Sequence, residues 1–170
     1  MEQTKENTKT AMMAALIFLA ISVVQIPTLH GYTHLGDGMI LLGVLVLGGK
    51  RGALAGGIGA ALADFCGGYL QWVLPSFCIK ALMAAIMAKG MGGLEGKVPC
   101  PWLWGAVLGG LFQIVGYTAM KVVYYGFWAA MVMTPTLLMQ TVFGWIVTGV
   151  LVGVLQTSGL LKRMQRGSGQ

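Results

Sequence analysis

Long apolar segments follow one another along this chain, and only short polar connections separate them. Charged residues make up 9% of its 170 residues, and hydrophobic residues make up 56%. A soluble domain needs about a quarter of its residues charged to cover its surface, so most of this surface must face lipid. At roughly 20 residues per spanning helix, the chain has room for about six spans. The sequence therefore predicts an all-α integral membrane protein with one transmembrane domain over residues 1–170.

Proline, glycine and charged residues mark the ends of the apolar segments. They predict six transmembrane helices, over residues 10–26, 37–48, 53–66, 76–91, 102–125 and 135–157. The last helix is expected to begin near Pro135, because proline is favoured in a first helical turn.

The second and third predicted helices are short for a membrane span. Each would be about 20 Å long, whereas the hydrocarbon core is roughly 30 Å thick. A re-entrant hairpin would leave Lys50 and Arg51 near the middle of the membrane, which is energetically unfavourable. We therefore expect a short spanning pair, with the loop at residues 27–36 dipping into the protein from the opposite side.

The basic residues lie at segment ends, and the predicted topology places most of them on one side. That side carries Lys5, Lys9, Lys50, Arg51, Lys89, Lys97, Lys162, Arg163 and Arg166. The connections on the other side, residues 27–36, 67–75 and 126–134, contain no lysine or arginine. Positive loops are cytoplasmic, so both termini are predicted to be cytoplasmic. This distribution also explains the net charge of +6 without a nucleic-acid partner.

Four further charges fall in or beside the outer halves of the predicted helices. They are Asp37, Asp64, Lys80 and Lys121. Ionisable residues inside a bilayer are candidates for a functional site, and two acids with two bases in one leaflet can also form structural ion pairs. Asp37 has a third possible role, because it could cap the second helix by accepting bonds from free N–H groups.

Aromatic and uncharged polar side chains gather on the same outer side. Tyr69, Trp72, Tyr124 and Trp128 are candidates for stacking on a flat ligand, although an interfacial aromatic belt also accounts for such residues. The candidate hydrogen-bonding side chains are His34, Gln71 and Gln113. Rings beside a few fixed polar groups suit a flat heterocyclic ligand.

Sequence motifs for catalysis and metal binding are absent. The chain has no GxxxxGK[ST] nucleotide loop, no HExxH zinc pattern and no legible Ser/His/Asp arrangement. We therefore expect no metal, no cofactor and no enzymatic activity. The polar groups stop in the outer half of the predicted bilayer, which favours a closed binding pocket. A small homo-oligomeric channel or facilitator, and a membrane enzyme or scaffold, are the alternatives.

Small residues cluster at the cytoplasmic end of the first predicted helix. Ala11, Ala14 and Ala15 form this patch. Small residues let helix backbones approach closely in a membrane, so the patch could receive a helix from a partner protein.

The ordered combination of these features resembles a known family. The chain has an alanine patch in helix 1, a loop ending in HLGD, and GALAGGIGAALADFCGGY before a proline and a lysine-bearing helix. In this it resembles the substrate-binding S component of energy-coupling factor (ECF) vitamin transporters, over nearly its whole length. It looks most like the hydroxymethylpyrimidine or pyridoxine-type branch, while riboflavin and queuosine-precursor S components are similar enough to stay open.

The resemblance implies a function and partners. A water-soluble vitamin would bind in an outward-facing pocket enclosed by loops 1 and 3 and helices 4 to 6. The alanine face of helix 1 would dock on a transmembrane coupling (T) protein, which is driven by two ATPase subunits. Ala11 and Ala15 match the family's AxxxA pattern, whereas Leu19 stands where a third alanine would fall. The chain would be a multi-pass protein of a prokaryotic cell membrane.

Overall fold

The computed structural model describes residues 1–28 and 31–157. Its helices are α1 (Glu2–Ser22), α2 (Gly36–Leu47), α3 (Gly49–Cys66), α4 (Val73–Leu94), α5 (Pro101–Tyr125) and α6 (Phe127–Thr157). Two strands, β1 (Gln25–Thr28) and β2 (Gly31–His34), lie between α1 and α2, and a single 3-10 turn, Leu70–Trp72, precedes α4. The basic tail that carries Lys162, Arg163 and Arg166 lies outside the described residues.

Three helices in the described part of the chain are long and apolar enough to cross a membrane. They cover Leu70–Leu94, Pro101–Tyr125 and Phe127–Leu155. Helix α2 is apolar but only 12 residues long, and α1 begins with the charged stretch EQTKENTK. The structure is therefore that of a helical membrane protein, while six spans and cytoplasmic termini stay predictions.

A β-hairpin replaces the end of the predicted first helix and most of the predicted loop at residues 27–36. Helix α1 ends at Ser22 rather than at residue 26, and β1 pairs antiparallel with β2, with Gln25 opposite His34. The residues after the helix are rich in β-branched side chains, which favour extended backbone. Pro27 further disfavours a helical residue before it. The hairpin delivers His34 to the start of α2.

Helix α6 begins eight residues earlier than the sequence indicated. It starts at Phe127, so Pro135 lies inside the helix and not in its first turn. The turn from α5 to α6 is a single residue, Gly126, with φ of 85°, a conformation that favours glycine. The predicted connection at residues 126–134 is therefore helical. Helix α4 likewise begins at Val73, which places Pro75 in its first turn, where proline is tolerated.

Helix α2 forms the centre of the molecule. Eleven of its twelve residues are buried, and it packs against α1, α3, α4 and α6. A helix that is apolar on all sides is expected to be buried on all sides. The first residues of α2 contact side chains from within α4, α5 and α6, and this is where the buried polar groups are found.

Helices α1 and α3 pack closely through small residues. A Cβ atom at Gly59 would lie 2.7 Å from the backbone oxygen of Ala14. Ala14 is accordingly buried in this contact, at 4% exposure, whereas Ala11 and Ala15 are exposed. The predicted docking patch is corrected by one residue, because Ala14 faces α3 inside the molecule and cannot face a partner in this packing.

Candidate functional site

A cavity of about 300 Å³ lies where the hairpin, the 3-10 turn and helices α3 to α6 meet. Its lining residues are His34, Asp64, Tyr69, Trp72, Ser76, Tyr117, Lys121, Tyr125, Met133, Thr136, Leu137 and Gln140. Five residues predicted as site residues are among them: His34, Asp64, Tyr69, Trp72 and Lys121. The structure thus brings five of the predicted site residues together around one cavity, whose walls carry both apolar and polar groups.

Trp72 anchors an aromatic wall on one side of the cavity. Its ring centroid lies 5.8 Å from that of Tyr117, with 37° between the planes. Its indole N–H donates a hydrogen bond to the Tyr125 hydroxyl at 3.2 Å. Aromatic pairs at such distances attract one another in tilted arrangements. The indole is therefore held at a fixed orientation beside the cavity.

Two predicted stacking or polar residues support this wall from behind without lining the cavity. Tyr124 packs edge-on against Trp72, with 5.1 Å between ring centroids. Its hydroxyl donates to the backbone oxygen of Gln71 at 2.9 Å. The Gln71 side chain itself is exposed. Tyr124 and Gln71 thus join the end of α5 to the 3-10 turn, and the ligand-facing roles predicted for them do not match their positions.

Trp128 lies away from the cavity. Its side chain is 81% exposed and contacts Phe127 edge-on. A large exposed aromatic at the first turn of a spanning helix is typical of the membrane interface. The interfacial alternative therefore describes Trp128 better than the predicted stacking role.

A buried polar network lies beneath the cavity. The Lys80 ammonium donates to Asp37 Oδ1 and to Gln113 Oε1. Gln113 Nε2 donates to Asp37 Oδ2 at 2.7 Å and to the Thr141 hydroxyl at 2.9 Å. Gln140 Nε2 also donates to Asp37 Oδ2, at 3.0 Å. The network joins α2, α4, α5 and α6 around one carboxylate.

Asp37, Lys80 and Gln113 serve this network and do not line the cavity. Asp37 and Lys80 are each 2% exposed, and Gln113 is fully buried. A buried charge requires a partner and hydrogen bonds, and here each charge has both. The structure thus favours the ion-pair alternative over direct ligand contact for these three residues. Asp37 makes no side-chain cap either, because α2 is preceded by Leu35 and has no capping bond.

His34 lies between the network and the cavity. Its Nδ1 accepts a hydrogen bond from the Gly36 N–H at 3.2 Å, and its side chain lines the cavity. Burial lowers the pKa of His34 to about 4; Asp37 opposes this shift and Lys80 adds to it. The imidazole is therefore neutral near pH 7 and offers the cavity a hydrogen-bonding group without charge.

Asp64 and Lys121 bring opposite charges to the cavity without forming an ion pair with each other. Both are half-buried, and no salt bridge joins them among the described residues. One carboxylate oxygen of Asp64, Oδ2, has no hydrogen-bond partner. Within residues 1–28 and 31–157, no group of three or more His, Cys, Asp or Glu side chains could hold a metal ion.

Several lining residues escaped the sequence interpretation, although helical spacing could have found them. Tyr117, which was not predicted, stands four residues from each of the predicted residues Gln113 and Lys121 on α5, which places the three on one helix face. Thr136 and Gln140 have the same spacing on α6. The signal that could have indicated Tyr117, Thr136 and Gln140 is a polar stripe along each apolar helix.

Comparisons with known proteins agree with this architecture. The model of the family described as "ECF-type riboflavin transporter, S component" matches residues 1–157. A protein of Pyrococcus woesei, named "Uncharacterized protein in gap 3'region", is 35% identical over 135 residues, which cover 78% of this chain and 88% of that protein. The family match spans every helix described above, so the chain belongs to the ECF-type riboflavin transporter S component family.

Proposed function

We propose that this chain is the substrate-specificity subunit of an ECF-type ABC importer and binds a flat, water-soluble vitamin in the cavity described above. S components of ECF transporters take up vitamins together with a T protein and ATPases. The observation that carries the proposal is the aromatic wall of Trp72 and Tyr117 facing a cavity that also holds polar and charged groups. Pockets for small ligands combine apolar walls with a few fixed polar groups in this way.

Riboflavin is the first vitamin to test, because the family description names it. Hydroxymethylpyrimidine and pyridoxine, which the sequence resemblance favours, are the second choice, and a queuosine precursor is the third. All are flat heterocycles, so the aromatic wall supports each of them. The polar groups around the wall, including His34 and Lys121, would choose among them.

A binding pocket accounts for the cavity better than a channel does. A channel needs a polar path through the full depth of the membrane, as in pores lined by rings of polar groups. Beneath this cavity, Asp37 and Lys80 pair with each other in a region that is nearly inaccessible. The closed floor supports a pocket that opens to one side of the membrane, which we assign as the outer side.

Delivery would use the exposed face of α1. Ala11 and Ala15 are exposed one helical turn apart, which leaves a shallow surface for close approach of a T-protein helix. Reorientation of the S component on that partner, driven by two ATPase subunits, would release the vitamin inside a prokaryotic cell. The proposed topology has six spans, with both termini cytoplasmic.

Equilibrium binding to the purified protein in detergent tests the proposal. Riboflavin, pyridoxine, hydroxymethylpyrimidine and a queuosine precursor are each titrated, with calorimetry for all four and flavin fluorescence for riboflavin. At least one should bind saturably. Trp72→Ala should weaken that binding by roughly tenfold through loss of stacking, whereas Trp128→Ala should leave it unchanged. Absence of saturable binding, or equal losses in the two variants, would contradict the proposed site.

A further inference from the structure

Gln140 stands at the boundary between the cavity and the buried network. Its side chain lines the cavity and is 6% exposed. Its Nε2 donates to Asp37 Oδ2 at 3.0 Å. Gln140 therefore belongs to both the cavity wall and the buried network. Its bond to Asp37 can orient the part of its side chain that faces the cavity.

The orientation of the Gln140 amide is fixed by the chemistry of its partner. An ionised carboxylate only accepts hydrogen bonds, and the NH₂ end of an amide only donates. Asp37 is itself held by Lys80 and Gln113, so its position does not depend on Gln140. A flip of the amide would place its oxygen against the Asp37 carboxylate, where two acceptors would repel each other.

The fixed orientation leaves the Gln140 carbonyl oxygen, Oε1, to face away from Asp37. No described residue donates a hydrogen bond to it, and it is absent from the fully buried side-chain atoms that lack a partner. The atom is therefore accessible from the cavity. A polar atom that loses water without gaining a partner is energetically unfavourable, so a ligand that fills the cavity must supply a donor here.

We propose that Gln140 is a specificity-determining residue, which accepts a hydrogen bond through Oε1 from a ring N–H of the bound vitamin. The site would then select heterocycles with an amide-like or imide-like N–H at their buried end. This inference rests on the proposed function, because it needs a vitamin in the cavity. Gln140 contacts the ligand, while Asp37 acts as a positioning residue that holds the amide in its orientation.

The experiment compares two ligands that differ only at the proposed donor. Riboflavin has an imide N–H, and 3-methylriboflavin has a methyl group in place of that hydrogen. Both are titrated against the wild type, Gln140→Met and Gln71→Met. Gln71→Met is the matched control, because the Gln71 side chain is exposed and does not line the cavity.

The wild type should prefer riboflavin over 3-methylriboflavin by about tenfold or more, the effect of one lost hydrogen bond at a buried acceptor. Gln140→Met should reduce this preference to within about threefold, and Gln71→Met should keep it. If both affinities fall together in Gln140→Met while the preference persists, Gln140 has only a structural role and the proposal is wrong.

If Gln140→Met does not fold, the affinities of the wild type for the two flavins still test the role of Gln140. Equal affinity of the wild type for the two flavins overturns the role of Gln140 but leaves vitamin binding intact. Failure of the wild type to bind riboflavin overturns riboflavin as the ligand, and the N–H assignment with it. The two failures are therefore distinguishable.

Discussion

Asp37 and Lys80 illustrate how a membrane protein holds full charges in its interior. The two side chains are each about 2% exposed, and the carboxylate also accepts bonds from Gln113 and Gln140. A buried ion pair is often no more stable than an apolar pair of similar volume, but removal of one partner is strongly destabilising. The pair therefore fixes how four helices meet beneath the cavity.

Lys80 and Lys121 differ in their surroundings, which gives a matched comparison. Lys80→Met leaves the Asp37 carboxylate buried without its cation, so the free energy of unfolding should fall by about 3–5 kcal/mol. Lys121→Met removes a half-buried lysine that makes no ion pair among the described residues, and should change it by less than about 1 kcal/mol. Denaturant unfolding in detergent micelles measures both variants.

The double variant Asp37→Leu with Lys80→Met completes the comparison. It removes both charges, so it should recover part of the stability that Lys80→Met loses. Equal losses in the two single lysine variants would contradict the assignment of Lys80 to a buried ion pair. Further loss in the double variant would contradict it as well.

The sequence indicated the ionisable residues of the site but not their separate roles. Scarcity alone marks Asp37, Asp64, Lys80 and Lys121 in an apolar chain. Which acid meets which base depends on helix rotation and depth, and these follow from packing between helices that are distant in sequence. Gln140 is not among the predicted residues, because its polar spacing with Thr136 on α6 gains meaning only once its partner Asp37 is known.

At the scale of the elements, glycine positions determine how closely the helices approach. A Cβ atom at Gly59 would lie 2.7 Å from the Ala14 backbone oxygen and 2.7 Å from Ile17 Cγ2, whereas one at Gly153 would have no atom within 4 Å. Small residues support close packing where lipid removes the hydrophobic drive between helices. Gly59 is therefore part of the α1–α3 contact, while Gly153 is free of such a contact.

Alanine at these two positions tests the packing of α1 on α3. Gly59→Ala should lower the free energy of unfolding by about 1–3 kcal/mol, since the α1 backbone must shift. Gly153→Ala should be neutral or stabilising by up to about 1 kcal/mol, because alanine is the better helix former. Unfolding curves in the same detergent provide the measurement. A Gly59→Ala variant as stable as Gly153→Ala would contradict the close contact.

Element boundaries were predicted least well where local and tertiary preferences differ. Pro135 is a sound signal for a first helical turn, yet α6 continues through it, because the lost backbone bond is less unfavourable than breaking a long membrane helix. The two strands β1 and β2 fall where the sequence predicts the end of the first helix and the loop at residues 27–36, since Pro27 and the glycines obscure the strand pattern.

At the scale of the whole molecule, composition indicates a membrane protein, and the distribution of lysine and arginine predicts how the chain is oriented in the membrane. Few charges require lipid contact, and lysines and arginines gather on one side of the predicted topology. Neither the low charge content nor the position of the basic residues depends on packing, so both can be observed in the sequence. The identity of the vitamin could not be predicted, because it depends on the shape of a cavity to which the hairpin and four helices contribute.

Cysteine labelling tests the orientation. Lys50→Cys lies in the exposed turn region at the start of α3, and Trp128→Cys lies at the exposed start of α6. Each is placed in a background without Cys66, Cys78 and Cys100. A membrane-impermeant maleimide should label Trp128→Cys in intact cells, and Lys50→Cys only after permeabilisation. Labelling of Lys50→Cys in intact cells would contradict the proposed topology.

Native mass spectrometry of the protein purified in detergent tests the central claim, the binding of a vitamin in the cavity, most directly. We expect a species whose mass equals one chain plus one vitamin molecule, either as purified or after incubation with riboflavin, pyridoxine, hydroxymethylpyrimidine or a queuosine precursor. Trp72→Ala should reduce that species, and Trp128→Ala should retain it. A folded protein that shows only the mass of the bare chain under all of these conditions would contradict the account.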